Sequence, residues 1–269
     1  MPEGDSIARL AARLSGEVAG QTVTLCRLNV PRFATVDLAG QTLDAVVPRG
    51  KHLLMRFSGG LTLHSHLRMS GRWAVGTTKA PPRGEPWHQV RVRLGLGDGR
   101  TMWGLRLPIV EVVRTADEDR VVGHLGPDLL DPTWDDDSTA TALERLTAAP
   151  NRPLVEALLD QRNVAGIGNL YAVEGCFLAR RWPWTPVADV TELPALVETE
   201  RALLARGVVG GVQTTTGSVR RGETHWVYGR YKRPCRRCTT PITFRESAGT
   251  PWARETWWCP RCQPAPASG

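Results

Sequence analysis

The 269-residue chain has no apolar run approaching the about 18 residues of a membrane-crossing helix, and it has no internal repeat. Those absences exclude a helical membrane span and a repeat array. Its first residues, Met-Pro-Glu-Gly-Asp5, lack the basic start and apolar stretch of a secretory leader, so export is not expected. No disordered signature is present either: 41% of residues are apolar, 23% are charged, and Gly (27) and Pro (20) are near globular values.

The charge is modestly basic, 34 Lys and Arg against 27 Asp and Glu, a net of +7. Its distribution is more informative than its sum. Residues 117–137 carry eight acidic side chains and one basic, whereas residues 219–237 carry seven basic side chains against Glu223 alone. That segregation suggests phosphate contacts in the carboxy-terminal part and a solvated acidic segment; an ordinary basic surface is the bland alternative.

Cysteine is scarce and unevenly spent. Cys26 and Cys176 stand alone in apolar surroundings, as buried thiols do. The other four form Cys235-x2-Cys238, twenty intervening residues, and Cys259-x2-Cys262. Two such knuckles turn four thiolates toward one point and suit one structural Zn2+; a shell closed by four thiolates leaves no position for catalysis. Two disulfides are the alternative and would need an oxidising compartment. Between the knuckles, residues 241–244, a turn containing Gly249, and residues 256–258 read as a hairpin too small to fold without metal.

Apolar spacing predicts a helix over residues 6–18 with Asp5 or Ser6 as cap. Seven strands follow at 22–28, 43–47, 52–57, 61–67, 90–96, 101–105 and 109–114, with turns at Ser58-Gly59-Gly60 and Asp98-Gly99. The period then becomes helical at 139–148, 153–161, 170–180 and 192–206, with Pro153 in a first helical position. The expected architecture is α+β and multidomain: an N-terminal β-sandwich with a flanking helix (1–122), an exposed linker (123–133), a helical domain (134–225), a zinc-binding β-hairpin (226–263) and a loose tail (264–269).

Three places could carry chemistry. Removal of Met1 would leave Pro2 as a secondary amine, and an α-amino group titrates near pH 8, so part of it is uncharged at neutral pH. Such an amine can attack a sugar carbon and form an imine, with Glu3 relaying protons. Most Met-Pro starts do nothing of the kind. Asn163-Val-Ala-Gly-Ile-Gly-Asn-Leu-Tyr171 reads as a glycine turn opening a helix, with amides and Asn169 free to hold a phosphate. Lys51, after Arg49-Gly50, could face a phosphate or only solvent.

Together these segments resemble the formamidopyrimidine-DNA glycosylase/endonuclease VIII family. The resemblance runs from Pro2-Glu3-Gly4 through Gly50-Lys51, His64-Ser-His-Leu-Arg-Met-Ser-Gly71, Val164 to Ala172 and Val227-Tyr-Gly-Arg230, to Trp258-Cys-Pro-Arg-Cys-Gln263. It implies a bifunctional glycosylase and abasic-site lyase of base-excision repair. Damaged DNA would be the partner, duplex or single-stranded, with the target nucleotide flipped out. Pro2 would attack C1′ and hold the sugar as a Schiff base, Glu3 would assist proton transfers, and β,δ-elimination would cut the strand. Lys51 matches a lysine near the sugar and phosphate. Asn169, in a helix–two-turns–helix motif, and Arg254 match phosphate clamps. Met69 matches a side chain that fills the gap in the duplex, although a core role fits the same residue. His64, Tyr171 and Arg230 fall within matching motifs and are candidate DNA contacts. The resemblance further implies a monomer in a bacterial cytoplasm, associated with the nucleoid, with zinc and no redox or nucleotide cofactor.

Three departures lean toward the endonuclease VIII branch and oxidised pyrimidines. Ser6 stands where many members have a second glutamate. Residues 101–107 lack the Arg-Arg-Phe-Gly run that supplies further gap-filling side chains, leaving Arg106 as a stand-in. The stretch between Gly211 and Trp226 is short. The alternatives are an enzyme specific for 8-oxoguanine and formamidopyrimidines, and a zinc-finger nucleic-acid-binding protein without catalysis.

Overall fold

The computed structural model describes residues 2–77, 80–246 and 253–266. The turn expected at Gly249, Met1 and residues 267–269 of the expected tail lie outside them. The chain forms two compact units, residues 1–2 with 7–124, and residues 3–6 with 125–269. No helix among the described residues is long and apolar enough to cross a membrane.

In the first unit, helix α1 (Gly4–Val18) leads into β1 (Val23–Leu28), β2 (Leu43–Arg49), β3 (His52–Phe57), β4 (Leu61–His66), β5 (Arg72–Gly76), β6 (Val90–Leu96), β7 (Thr101–Leu105) and β8 (Ile109–Arg114). They make two four-stranded antiparallel sheets, ordered β1-β6-β7-β5 and β2-β3-β4-β8. Strand β5 was not expected: Arg72-Trp-Ala-Val-Gly76 is too short for an alternating pattern to stand out. One core joins Ile7, Ala11, Leu14 and Val18 of α1 to Val23, Leu94 and Met102 of one sheet and Leu53, Met55 and Leu63 of the other. Each of the Val, Leu, Ile and Met side chains contributes roughly 1.5–3 kcal/mol when fully buried. Helix α1 starts ahead of its expected cap, so Asp5 lies inside the first turn, fully buried, where it accepts a hydrogen bond from Gln213 Nε2 at 3.0 Å.

The second unit contains the helices, with α2 (Asp119–Val122) preceding it in the chain. Its members are α3 (Asp136–Thr147), α4 (Leu154–Leu159), α5 (Asn169–Leu178), α6 (Leu193–Gly210) and the β9 (Thr243–Arg245)/β10 (Thr256–Trp258) hairpin. Asp135 caps α3 by accepting from Ser138 N at 2.8 Å. Pro153 precedes α4 in an extended conformation rather than opening its first turn. Gly211, at φ +69°, ends α6 in the left-handed region that glycine tolerates.

One expectation fails here. The exposed linker is instead built in: Leu125, Asp128 and Leu129 are buried, and Asp128 bridges Ala165 in parallel. Polar composition concealed apolar anchors spaced between the acids. The hairpin packs against the helices of the same unit: Val227, Ile242 and Trp257 share one core with Leu158, Val173 and Phe177.

Candidate active site and metal centre

In the second unit, the site is organised by Glu3. Its buried carboxylate sits at the N-terminus of α5 and accepts from Gly168 N and Leu170 N, both at 2.9 Å, and from Tyr171 N at 3.5 Å. The unsatisfied amides and dipole of a helix start favour such an anion. The glycine turn is shaped to the same end. Gly4 N donates to Gly166 O at 2.9 Å, Gly166 has φ +108°, and a Cβ at Gly168 would fall 2.6 Å from Glu3 Cγ. This corrects the expectation of free amides awaiting a phosphate: the chain's own carboxylate occupies them.

Asn169 is 5% exposed, and its Nδ2 donates to Glu255 O at 2.8 Å. Arg254, next along the hairpin, is exposed, so the two expected clamp residues meet at one stretch of backbone. Tyr171 and Arg230 behave otherwise. Tyr171 is fully buried with its hydroxyl over Gly207, where a Cβ would come within 2.5 Å. Arg230 donates to Trp226 O at 2.5 Å and Pro234 O at 2.8 Å, tying the finger together. Tyr171 is thus enclosed by the fold and corrected as a DNA contact, whereas Arg230 is half-buried at the base of the finger.

Two residues were missed by sequence reasoning. Glu174, fully buried in α5, accepts from Trp226 N (2.8 Å), Val227 N (2.7 Å), Tyr228 N (2.8 Å) and the Thr215 hydroxyl. Glu200 of α6 is equally buried, and both carboxyl oxygens lack a hydrogen-bond partner among the described residues. Burial first, then the charges of Glu3 and Glu174, push its pKa well above the ordinary carboxyl range. For Glu174 the available signal was a lone glutamate inside an apolar helix pattern.

The four finger cysteines bring their Sγ atoms within 4.8 Å of one another. The Sγ separations of 3.4 Å for Cys238–Cys259, 3.5 Å for Cys238–Cys262 and 3.9 Å for Cys235–Cys262 bracket the about 3.8 Å edge of a tetrahedron with about 2.3 Å metal–sulfur bonds. Arg237 N and Cys262 N point at Cys235 Sγ and Cys259 Sγ, each at 3.4 Å, as amides do toward thiolates. The donor set fits a metal ion.

In the first unit, Lys51 and Gly50 (φ +55°) form the two-residue turn between β2 and β3. Beside them is a histidine cluster. His52 Nδ1 and His64 Nε2 are hydrogen-bonded at 2.8 Å, and His64 Nδ1 meets Glu111 at 3.1 Å. His64 is 2% exposed, so the sheet corrects its expected role as a DNA contact. Burial and neighbouring cations push His52 down to about 2 and His66 down to about 4; burial also lowers His64, against the pull of Glu111. Met69 is the reverse case: it is 68% exposed at the tip of a turn closed by Gly71 N to Leu67 O at 2.8 Å. A core role for it is excluded.

Comparison with known proteins agrees with this arrangement. Residues 1–105 match the formamidopyrimidine-DNA glycosylase N-terminal domain and residues 125–218 the formamidopyrimidine-DNA glycosylase H2TH domain. The chain is 50% identical to "Probable endonuclease 8 2" of Streptomyces coelicolor, covering 99% of this chain and 95% of that protein. It is 43% identical to the "DNA-(apurinic or apyrimidinic site) lyase Nei2" of Mycolicibacterium smegmatis, covering 98% and 100%. The crystal structure of MutM (Fpg) from Thermus thermophilus superposes with a TM-score of 0.79 at 32% identity, covering 97% and 98%.

Proposed function

The chain belongs to the formamidopyrimidine-DNA glycosylase/endonuclease VIII family, and from that premise we propose a bifunctional DNA glycosylase and abasic-site lyase acting in base-excision repair. The observation that carries the reading is the docking of Glu3 on the start of α5. Pro2 is peptide-bonded to this anchored residue, so a nitrogen at the mature chain start has one side of its position fixed.

The Pro2 nitrogen attacks C1′ of a flipped nucleotide, and the C1′–N bond to the base breaks as the base takes up a proton. Ring opening gives an iminium that acts as an electron sink. Loss of a C2′ proton expels the 3′ phosphate, and a second elimination expels the 5′ phosphate. Glu3, held as an acceptor by backbone amides, assists the proton transfers. Lys51, Asn169 and Arg254 hold phosphates, and Met69 fills the vacated stack. Cys235, Cys238, Cys259 and Cys262 hold one Zn2+, which supplies a structural crosslink and no chemistry. The functional organisation is a β-rich catalytic part, a helical part and the finger, acting as a monomer on damaged duplex in the bacterial cytoplasm. Oxidised pyrimidines are the favoured lesions, on the strength of Ser6, the missing Arg-Arg-Phe-Gly run and the short stretch after Gly211.

Borohydride reduction during reaction with a dihydrouracil duplex should trap a covalent adduct, and Pro2→Gly with a blocked amino terminus should abolish it. Persistence of the adduct in the blocked protein rejects the nucleophile. Faster release of 8-oxoguanine than of dihydrouracil or thymine glycol rejects the pyrimidine preference. Metal analysis of reduced protein should return one zinc per chain.

A further inference from the structure

The turn that carries Met69 is held from outside by a half-buried ion-pair network. Arg106 Nε donates to Ser70 O at 3.2 Å, and its Nη1 reaches Glu85 at 2.7 Å and Gln89 Oε1 at 3.4 Å. Glu85, whose side chain is 7% exposed, also takes Arg72 at 2.8 and 3.1 Å. The Arg106 backbone is fixed as well, its N–H donating to Gln89 O at 2.8 Å. On the other flank, Arg68 N donates to His66 Nδ1 at 3.0 Å.

Both arginines at this turn carry backbone strain, with φ +45° at Arg68 and φ +49° at Arg106, a region side chains other than glycine avoid. Such conformations persist only where the surroundings over-determine them. The result is an exposed apolar tip on a turn with little freedom. A flexible turn would have to lose its entropy at the moment it entered DNA, and a prebuilt one does not.

We propose that Arg106, planted on Glu85, is the positioning residue for Met69: it braces the wedge turn and does not itself enter the duplex. The missing Arg-Arg-Phe-Gly run is thereby answered by stiffening one wedge rather than supplying others. Glu85 is the discriminating residue. If Arg106 filled the gap itself, freeing it from Glu85 would leave its action intact; as a brace, it fails without its anchor.

The inference rests on Met69 acting as the proposed wedge, and the test separates the two. The zinc-loaded full chain is mixed with a duplex holding a tetrahydrofuran abasic analogue opposite 2-aminopurine, whose fluorescence rises on unstacking. Met69→Ala should lower the amplitude at least about 3-fold; no change rejects the wedge. Given that loss, Glu85→Ala and Arg106→Lys should each lower the amplitude or its rate about 3- to 10-fold, because a lysine cannot reach Ser70 O and Glu85 together. The double variant with Met69→Ala should add little to either. Borohydride trapping on a single-stranded abasic oligonucleotide, where no gap exists, should stay within about 2-fold for Glu85→Ala and Arg106→Lys. Full duplex amplitude in Glu85→Ala with a loss in Arg106→Lys makes Arg106 a wedge and overturns the brace. Equal losses on single and double strands, with a lowered melting temperature, reduce the network to a structural role and overturn it too.

Discussion

Glu3 and Gly168 are fitted to each other: the carboxylate accepts the Gly168 amide at 2.9 Å, and a Cβ at 168 would lie 2.6 Å from the Glu3 Cγ. One residue near the chain start thus explains a glycine 165 positions later.

Gly168→Ala should therefore act on chemistry as well as on folding. Overpacking of this kind costs roughly 1–3 kcal/mol, and the displaced Glu3 carries Pro2 with it. Trapping on an abasic duplex should slow by about 100-fold, the order expected for a misplacement near 1 Å, while the folded variant still binds one metal. Wild-type trapping rates in Gly168→Ala reject the coupling.

Glu174→Ala should destabilise the second unit by roughly 3 kcal/mol or more. It would leave three backbone amides, from Trp226, Val227 and Tyr228, without an acceptor, and each unsatisfied buried donor costs about 1–3 kcal/mol. Denaturant unfolding measures this; a loss under about 1 kcal/mol would mean the loop finds other acceptors.

Glu200 gives a pH-dependent prediction of unusual sign. Its folded pKa is raised by burial and by Glu3 and Glu174, so the unfolded chain releases the proton first and stability falls as pH rises above the ordinary 4.5. Glu200→Gln should raise the melting temperature at pH 8, and the gain should shrink toward pH 5. A gain independent of pH rejects the raised pKa of Glu200.

The histidine cluster acts in the opposite direction. His52 and His66 are held at about 2 and about 4 against an ordinary 6.5, so the unfolded chain takes up protons first. Stability should fall as pH drops below 6.5 and keep falling toward 4 and lower. His52→Phe should flatten the slope of melting temperature between pH 7 and 5. An unchanged slope would show that His52 protonates freely in the folded protein.

Local pattern was enough for seven of the eight strands of the first unit, for α1 and α3 to α6 and for the cysteine knuckles, because each is written in spacing over a few residues; β5 and the four-residue α2 are too short to show a pattern. The other failures share one cause. Leu125 and Leu129 lie among acids, and only the packing of the second unit shows that they are anchors. His64 reads as a surface motif residue, and only strand register sets it between His52 and Glu111.

What the sequence determined alone was most of the elements, the metal-binding composition and the family, since periodicity and ligand spacing are properties of neighbours in the chain. What tertiary structure decided was the use of each polar group. The α5 amides go to Glu3, Glu174 holds the loop before the finger, and Arg106 is tied to Glu85. A buried charge must find its partner in space, and these partners are separated by 21 to 168 residues along the chain.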